Sequence, residues 1–189
     1  MQKLYFFTLL LLLANVLPAQ ENLLMTNAEA YEILKGEYDP APYFPAVVTN
    51  QPAEVIDGIV AQVSPDSLKD YLFELSSFEN RNTGSDTTSA DFGIGAARRW
   101  SHHKMQQFSE RQEGRLLTGY FQFDQDICGM GQHRNVVAVL PGVGPNRHES
   151  VLVVRHIDSR CAGPCDIDCM AHGAEDNGSG TAMVLELAR

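Results

Sequence analysis

Two apolar runs separated by a short polar loop restrict what this chain can fold into more than any other feature. Asn135 to Leu140 reads NVVAVL and Ser150 to Ile157 reads SVLVVRHI, with little alternation of apolar and polar residues. A strand with one wet face alternates, whereas a strand covered on both faces reads as a continuous aliphatic run, so both runs are expected in the middle of a sheet. Leu116 to Phe123 is a third extended stretch, after a break at Gly114. Ahead of it, Ser64 suits a helix N-cap and Pro65 the first helical position, and Leu68, Tyr71, Leu72 and Leu75 recur at helical spacing, which predicts a helix over about 65–77. The loop-like ENRNTGSDTTS leads to a second helix in SADFGIGAARRWSHHKMQQFSE, marked by Phe92, Ala96, Trp100 and Phe108. A third follows GAEDNGSG, in TAMVLELAR. Helix, strands, loop and helix in that order predict an α/β layer sandwich.

The N-terminus carries a different instruction. MQKLYFFTLLLLLANVLPAQ has one lysine, an apolar run from Leu4 to Ala14 and a Pro18-Ala19 exit, the pattern of a secretory signal over residues 1–20. The run is shorter than the roughly 20 residues a membrane span needs, so the mature chain is expected to be exported, to periplasm or medium, and to hold no membrane. Residues 21–63 combine a short helical stretch with several prolines and aromatics and read as a leader or pro-segment, with the main domain over 64–189. Loss of Lys3 with the signal leaves 13 basic against 24 acidic residues, a balance that makes nucleic acid and anionic membrane poor partners. Cys128, Cys161, Cys165 and Cys169 suit an oxidising compartment and disulfide pairing, with three connectivities open. The final helix is still apolar at Leu187-Ala188 and lacks a stop signal, so the chain is expected to continue past Arg189.

Chemistry concentrates at the end of the second apolar run. In Arg155-His156-Ile157-Asp158-Ser159, a period of two puts His156 and Asp158 on one face, where a carboxylate can fix the imidazole tautomer and leave the other ring nitrogen for a metal. Asp176 follows in the glycine-rich Glu175-Asp176-Asn177-Gly178-Ser179-Gly180, where backbone can approach closely and a carboxylate could bridge two cations. The residues alone fit either a hydrogen-bonded structural pair or a metal site. Other features read as structure. Pro164 and the four-residue spacing of Cys161, Cys165 and Cys169 favour disulfides over a metal cluster, and His102, His103, His133, His148 and His172 read as surface or loop positions. Gly93-Ile94-Gly95 has no strand before it and no third glycine, and Ser179 lacks a nucleophile elbow.

The strings NVVAVLPG, SVLVVRHIDSR and AHGAEDNGSGTAMVLELAR closely resemble the co-catalytic zinc aminopeptidases, the group that includes bacterial leucyl aminopeptidases, glutamate carboxypeptidase and the related glutaminyl cyclases. RNTGS and GIGAARRW resemble the loop and first helix of the same group, so the likeness covers roughly residues 65–189. It implies a three-layer sandwich with a mixed central sheet flanked by helices, truncated here at its C-terminus. It further implies that His156 is a zinc ligand, that Asp158 orients it, and that Asp176 bridges two zinc ions. The general base, the remaining ligands and a last histidine would lie beyond Arg189, which implies negligible peptidase activity for these residues alone. Arg155 departs from the small residue usual at its position, and Glu175 from the commoner Asp. The implied activity is removal of N-terminal residues from peptide substrates by metal-activated water. A glutaminyl cyclase with one zinc and an exported binding domain with none are the alternatives.

Overall fold

The computed structural model describes residues 22–49 and 51–189. The signal sequence assigned to residues 1–20 lies outside them. Elements follow in the order β1 (Leu23–Met25), α1 (Ala28–Leu34), a 3-10 turn (Ala41–Tyr43), α2 (Pro52–Gln62), α3 (Pro65–Ser77), α4 (Gly93–Arg111), β2 (Leu117–Ile127), β3 (Met130–Val139) and α5 (Gly180–Ala188). Among the described residues the sheet is three-stranded and antiparallel, in the order β1-β2-β3. The fold is thus a mixture of helices with an antiparallel sheet, and the parallel pairing that a mixed central sheet needs does not occur among the described residues.

Local chemistry accounts for most boundaries. Asn27 caps α1 by accepting from the Ala30 amide at 3.0 Å, and Ser64 caps α3 by accepting from the Ser67 amide at 3.1 Å. Pro65 fills the first position of α3, where the missing N–H costs nothing. The β2–β3 turn is the two-residue step Cys128-Gly129, with φ of +56° and +76°. Positive φ at both central positions matches the right-handed twist of a hairpin. It extends the expected 116–123 stretch to Ile127 and begins the next strand at Met130, five residues before the aliphatic run.

Strand β3 justifies the reading of its sequence. Val136 and Ala138 pack with Tyr71, Met105, Phe108, Ala182 and Leu185 from α3, α4 and α5. Val137 and Val139 turn the other way, onto Met25, Ala30 and Ile33. Both faces are covered, so both sets of side chains are aliphatic. The segment 21–63 therefore contributes to the fold through β1 and α1, whereas α2 buries none of its residues.

The second aliphatic run behaves differently. Expected as a buried strand, Ser150–Ile157 pairs with no strand among the described residues, and Val151 and Leu152 are 94% and 85% exposed. A strand acquires cover only from neighbours that satisfy its backbone, and anchoring begins where such a neighbour appears. Ile157 packs on the cluster of Phe78, Ala96 and Ala97. Within α4 the buried face is Ile94, Ala97, Ser101, Met105 and Phe108, while Phe92, an expected apolar mark, is exposed at the N-cap.

Helix α4 enters the fold through a close backbone crossing. A Cβ on Gly95 would stand 2.3 Å from the Thr87 carbonyl oxygen and 2.5 Å from its Cα, and only glycine allows that approach. Gly95→Ala is expected to lower unfolding free energy by about 1–3 kcal/mol. Gly58→Ala in α2, where a Cβ meets nothing within 4 Å, should leave the global transition in place. Urea unfolding followed by tryptophan fluorescence separates the two, since Trp100 lies on α4.

Candidate metal centre

The site begins with a charged side chain in the core. Arg81, with 0% exposure, lies in the loop after α3 and spends its guanidinium on backbone carbonyls. Nε donates to Ile157 O at 3.0 Å, Nη1 to Leu75 O at 2.5 Å and His172 O at 2.7 Å, and Nη2 to Gly173 O at 3.1 Å. Its own backbone is tied as well, because its amide donates to Ser159 Oγ at 3.1 Å and its carbonyl accepts from the Ser159 amide at 3.3 Å. Ser159 Oγ in turn donates to Ala171 O at 2.5 Å. One residue therefore joins the end of α3, the end of the 150–157 run and the loop that leads to Asp176. Burial lowers the Arg81 pKa to about 10, partly offset by the charge of Asp158, which still leaves the group ionised at neutral pH.

That framework sets His156 between two carboxylates. His156 Nδ1 lies 3.1 Å from Asp158 Oδ1, and His156 Nε2 lies 3.3 Å from Asp176 Oδ1. Thr181 Oγ1 donates to the His156 carbonyl at 3.0 Å, which fixes the residue against the start of α5. The His156 side chain is 56% exposed and the Asp176 side chain 79%, so the outer side of the pair faces solvent. Asp176 is brought in by a tight turn. Gly173 has φ of +49°, and a Cβ there would meet Ser159 Cβ at 2.5 Å and Asp176 O at 2.7 Å. The Gly178 amide donates to Gly173 O at 2.9 Å, and Asn177 Oδ1 accepts from the Gly180 amide at 3.1 Å. The Asp176–Asn177 peptide is cis.

The structure thus brings together His156, Asp158 and Asp176, three residues singled out from the sequence, with Asp176 twenty positions after His156. Arg155 points its Nη1 back to Val154 O at 2.7 Å, and its Cδ runs beside Gly180. Arg81 escaped the sequence reading except as part of RNTGS, since nothing in a loop composition shows that an arginine is buried. Several histidines were also misplaced. His133 lies within β3, is 2% exposed and stacks on Phe123, rather than flanking a strand in a loop. His102 is no solvated surface residue: its ring packs against Tyr120 with centroids 4.6 Å apart. His172 is a loop residue, with Nδ1 2.9 Å from Ser76 O.

Beside the site, Cys128–Cys165 and Cys161–Cys169 form the two disulfides. Asp166 lies near Cys161 and Cys169, but both sulfurs are committed to each other and offer no thiolate to a metal. Asn80 Nδ2 donates to Asp166 O and Cys169 O, and Asn82 Nδ2 to Pro164 O, so the Arg81 loop and the cysteine loop are stitched together.

Part of this chain is similar to known proteins. Residues 135–189 match the model of peptidase family M28. A "probable zinc metalloprotease" of Pyrenophora teres f. teres is 37% identical over 145 residues, covering 73% of this chain and 31% of the relative. One of the same description from Leptosphaeria maculans is 34% identical over 148 residues, 76% of this chain and 34% of that protein. A "probable leucine aminopeptidase 1" of Trichophyton verrucosum is 30% identical over 154 residues, 79% of this chain and 36% of that protein. The chain spans about a third of the length of the curated relatives it matches. No solved structure matches it significantly.

Replacing Arg81 tests the framework. Arg81→Met removes the donors of four carbonyls and is expected to cost about 3–5 kcal/mol of stability. Arg81→Lys keeps the charge without the planar fork and should restore less than half of that loss. Chemical denaturation of the two variants checks both numbers.

Proposed function

The chain is related to the co-catalytic zinc aminopeptidases of peptidase family M28, and from that premise we propose that it supplies site residues to a secreted zinc-dependent aminopeptidase-like hydrolase. Its substrates are peptides, from which N-terminal residues are released by hydrolysis. The observation that carries the reading is the position of His156, with one ring nitrogen 3.1 Å from Asp158 and the other 3.3 Å from Asp176.

The donor chemistry fits zinc. Nitrogen and oxygen ligands on neighbouring vertices of a tetrahedral zinc, with bonds of about 2.0–2.1 Å, stand roughly 3.3–3.4 Å apart. His156 Nε2 and Asp176 Oδ1 have that separation. In this reading Asp158 accepts the Nδ1 proton, which leaves the Nε2 lone pair directed outward as a ligand. Asp176 would hold zinc through its carboxylate, whose second oxygen would be available to a second ion. The chemistry that zinc supplies when bound in such a site is a water that ionises near neutral pH and polarisation of the scissile carbonyl. Arg81 and Ser159 hold the His156 end of the 150–157 run at a fixed distance from the Asp176 turn, which such a site needs before any ion arrives. No residue of this chain is assigned as the base that takes the proton of the water.

The remaining parts of the proposal rest on separate observations. The catalytic part is assigned to residues 64–189, with 21–63 packed against it through β1 and α1. A three-layer sandwich is supported by the cover that β3 has on both faces. Export is supported by two disulfides and by the signal-like residues 1–20, and no helix of the described residues is long and apolar enough to cross a membrane.

Equilibrium dialysis against zinc followed by elemental analysis tests the assignment. His156→Ala and Asp176→Ala are each expected to abolish retention of zinc at micromolar free metal. Asp158→Asn should weaken it about 10- to 100-fold through loss of the oriented tautomer. Retention unchanged in all three variants would sink the metal-centre reading.

A further inference from the structure

A second polar site lies on the face of α4 that meets the hairpin. A cavity of about 300 Å³ is lined by Arg98 and Arg99 of α4, Arg134 and Gln132 of β3, Tyr120 of β2, and Thr87. No aspartate or glutamate lines it, in a chain of formal net charge −10. Three guanidinium groups sharing a small cavity without a lining carboxylate repel one another, a cost that folding does not bear without a return.

The donors here are largely unspent. Arg98 is 9% exposed, its guanidinium makes no hydrogen bond among the described residues, and its Nε is buried without a partner. On the next turn of α4, outside the cavity lining, Ser101 Oγ and His102 Nε2 are buried without a partner among the described residues, with the His102 ring against Tyr120. Arg134 gives Nε to Gln122 Oε1 at 2.8 Å and lies over the Tyr120 ring at 5.7 Å, which leaves its two terminal nitrogens uncommitted. Arg99 commits its terminal nitrogens to Thr87 O and Ser89 O, which holds the group in place at the rim. Asp158 is the acid whose charge reaches Arg98, and it is the partner of His156. Native structures rarely leave buried polar atoms unpaired, and the buried Nε of Arg98, a residue that lines this cationic cavity, points to a missing acceptor.

We propose that this cavity binds a small tetrahedral oxyanion of the phosphate class, alone or as the head of a small organic ester, held by Arg98, Arg134 and Tyr120. Donors come from a helix and from two strands, so they approach from several directions, which suits a tetrahedral acceptor with three or four oxygens better than a planar carboxylate. The volume limits the ligand to the anion and a few attached atoms. None of His156, Asp158 and Asp176 lines this cavity.

Isothermal titration of the 189-residue chain with inorganic phosphate, at constant ionic strength set by sodium chloride, tests the site. Saturable binding is expected with one ion per chain. Arg98→Gln removes the central donor, but its burial puts folding at risk, so the exposed Arg134→Gln is the deciding variant, its fold checked by far-UV circular dichroism. A folded Arg134→Gln protein should bind phosphate at least about tenfold more weakly, while Arg111→Gln, at the far end of α4, should bind as the parent does. A simple phosphate monoester run in parallel identifies the source: tighter binding than phosphate assigns the site to an ester head, and equal binding assigns it to the free ion. Absence of saturable binding, or equal losses in Arg134→Gln and Arg111→Gln, would overturn the proposal and leave a solvated basic surface.

Discussion

The buried guanidinium of Arg81 is the constraint on which the rest of the arrangement depends. Four carbonyl oxygens, from Leu75, Ile157, His172 and Gly173, converge on it from three parts of the chain. Carbonyls that end a helix or leave a strand need partners when water is excluded, and one planar group with five donors meets that need at several places at once. Because the Ile157 carbonyl sits between His156 and Asp158, and Gly173 opens the turn that carries Asp176, the distance between the two halves of the candidate centre is set by this one side chain.

Around that point the loops are held by covalent and polar ties rather than by apolar burial. In the chain-entropy picture, closing 37 residues through Cys128–Cys165 and 8 through Cys161–Cys169 is worth about 4 and about 2.5 kcal/mol. Asn80 and Asn82 satisfy carbonyls of the cysteine loop, which has few aliphatic residues of its own. Gly84 shows how close the Arg81 loop comes to the β2–β3 turn, since a Cβ there would stand 2.6 Å from Cys128 Cβ. The same disulfide explains why a cysteine occupies the first central position of the β2–β3 turn at φ of +56°, where asparagine or glycine is usual.

Much of this was legible residue by residue. The capped start of α3 at Ser64-Pro65, the amphipathic run of α4 and the double-faced aliphatics of β3 are local patterns, and each appears where its spacing places it. The pairing of His156 with Asp158 follows from the period of two of an extended backbone, which the segment keeps without strand partners, and the glycines around Asp176 mark a tight turn. Three things were not legible. The hairpin was hidden because Cys-Gly is a weak turn signal without knowledge of the bridge to Cys165. The exposure of Val151 and Leu152 was hidden because aliphatic composition records what a segment can bury, not what lies beside it. The packing of His102 and His133 was hidden because a single imidazole carries no periodicity.

The sequence by itself determined most helix starts, the aliphatic strand β3 and the residues of the candidate site, an H-x-D pair and an aspartate in a glycine turn, all set by interactions within a few residues. Only the tertiary structure decided which cysteines pair, that Arg81 lies in the core, that Asp176 comes within 3.3 Å of His156, and that three arginines share a cavity. These are contacts between residues tens of positions apart. Their energies depend on burial and on the direction of approach, and neither exists until the chain has closed around them.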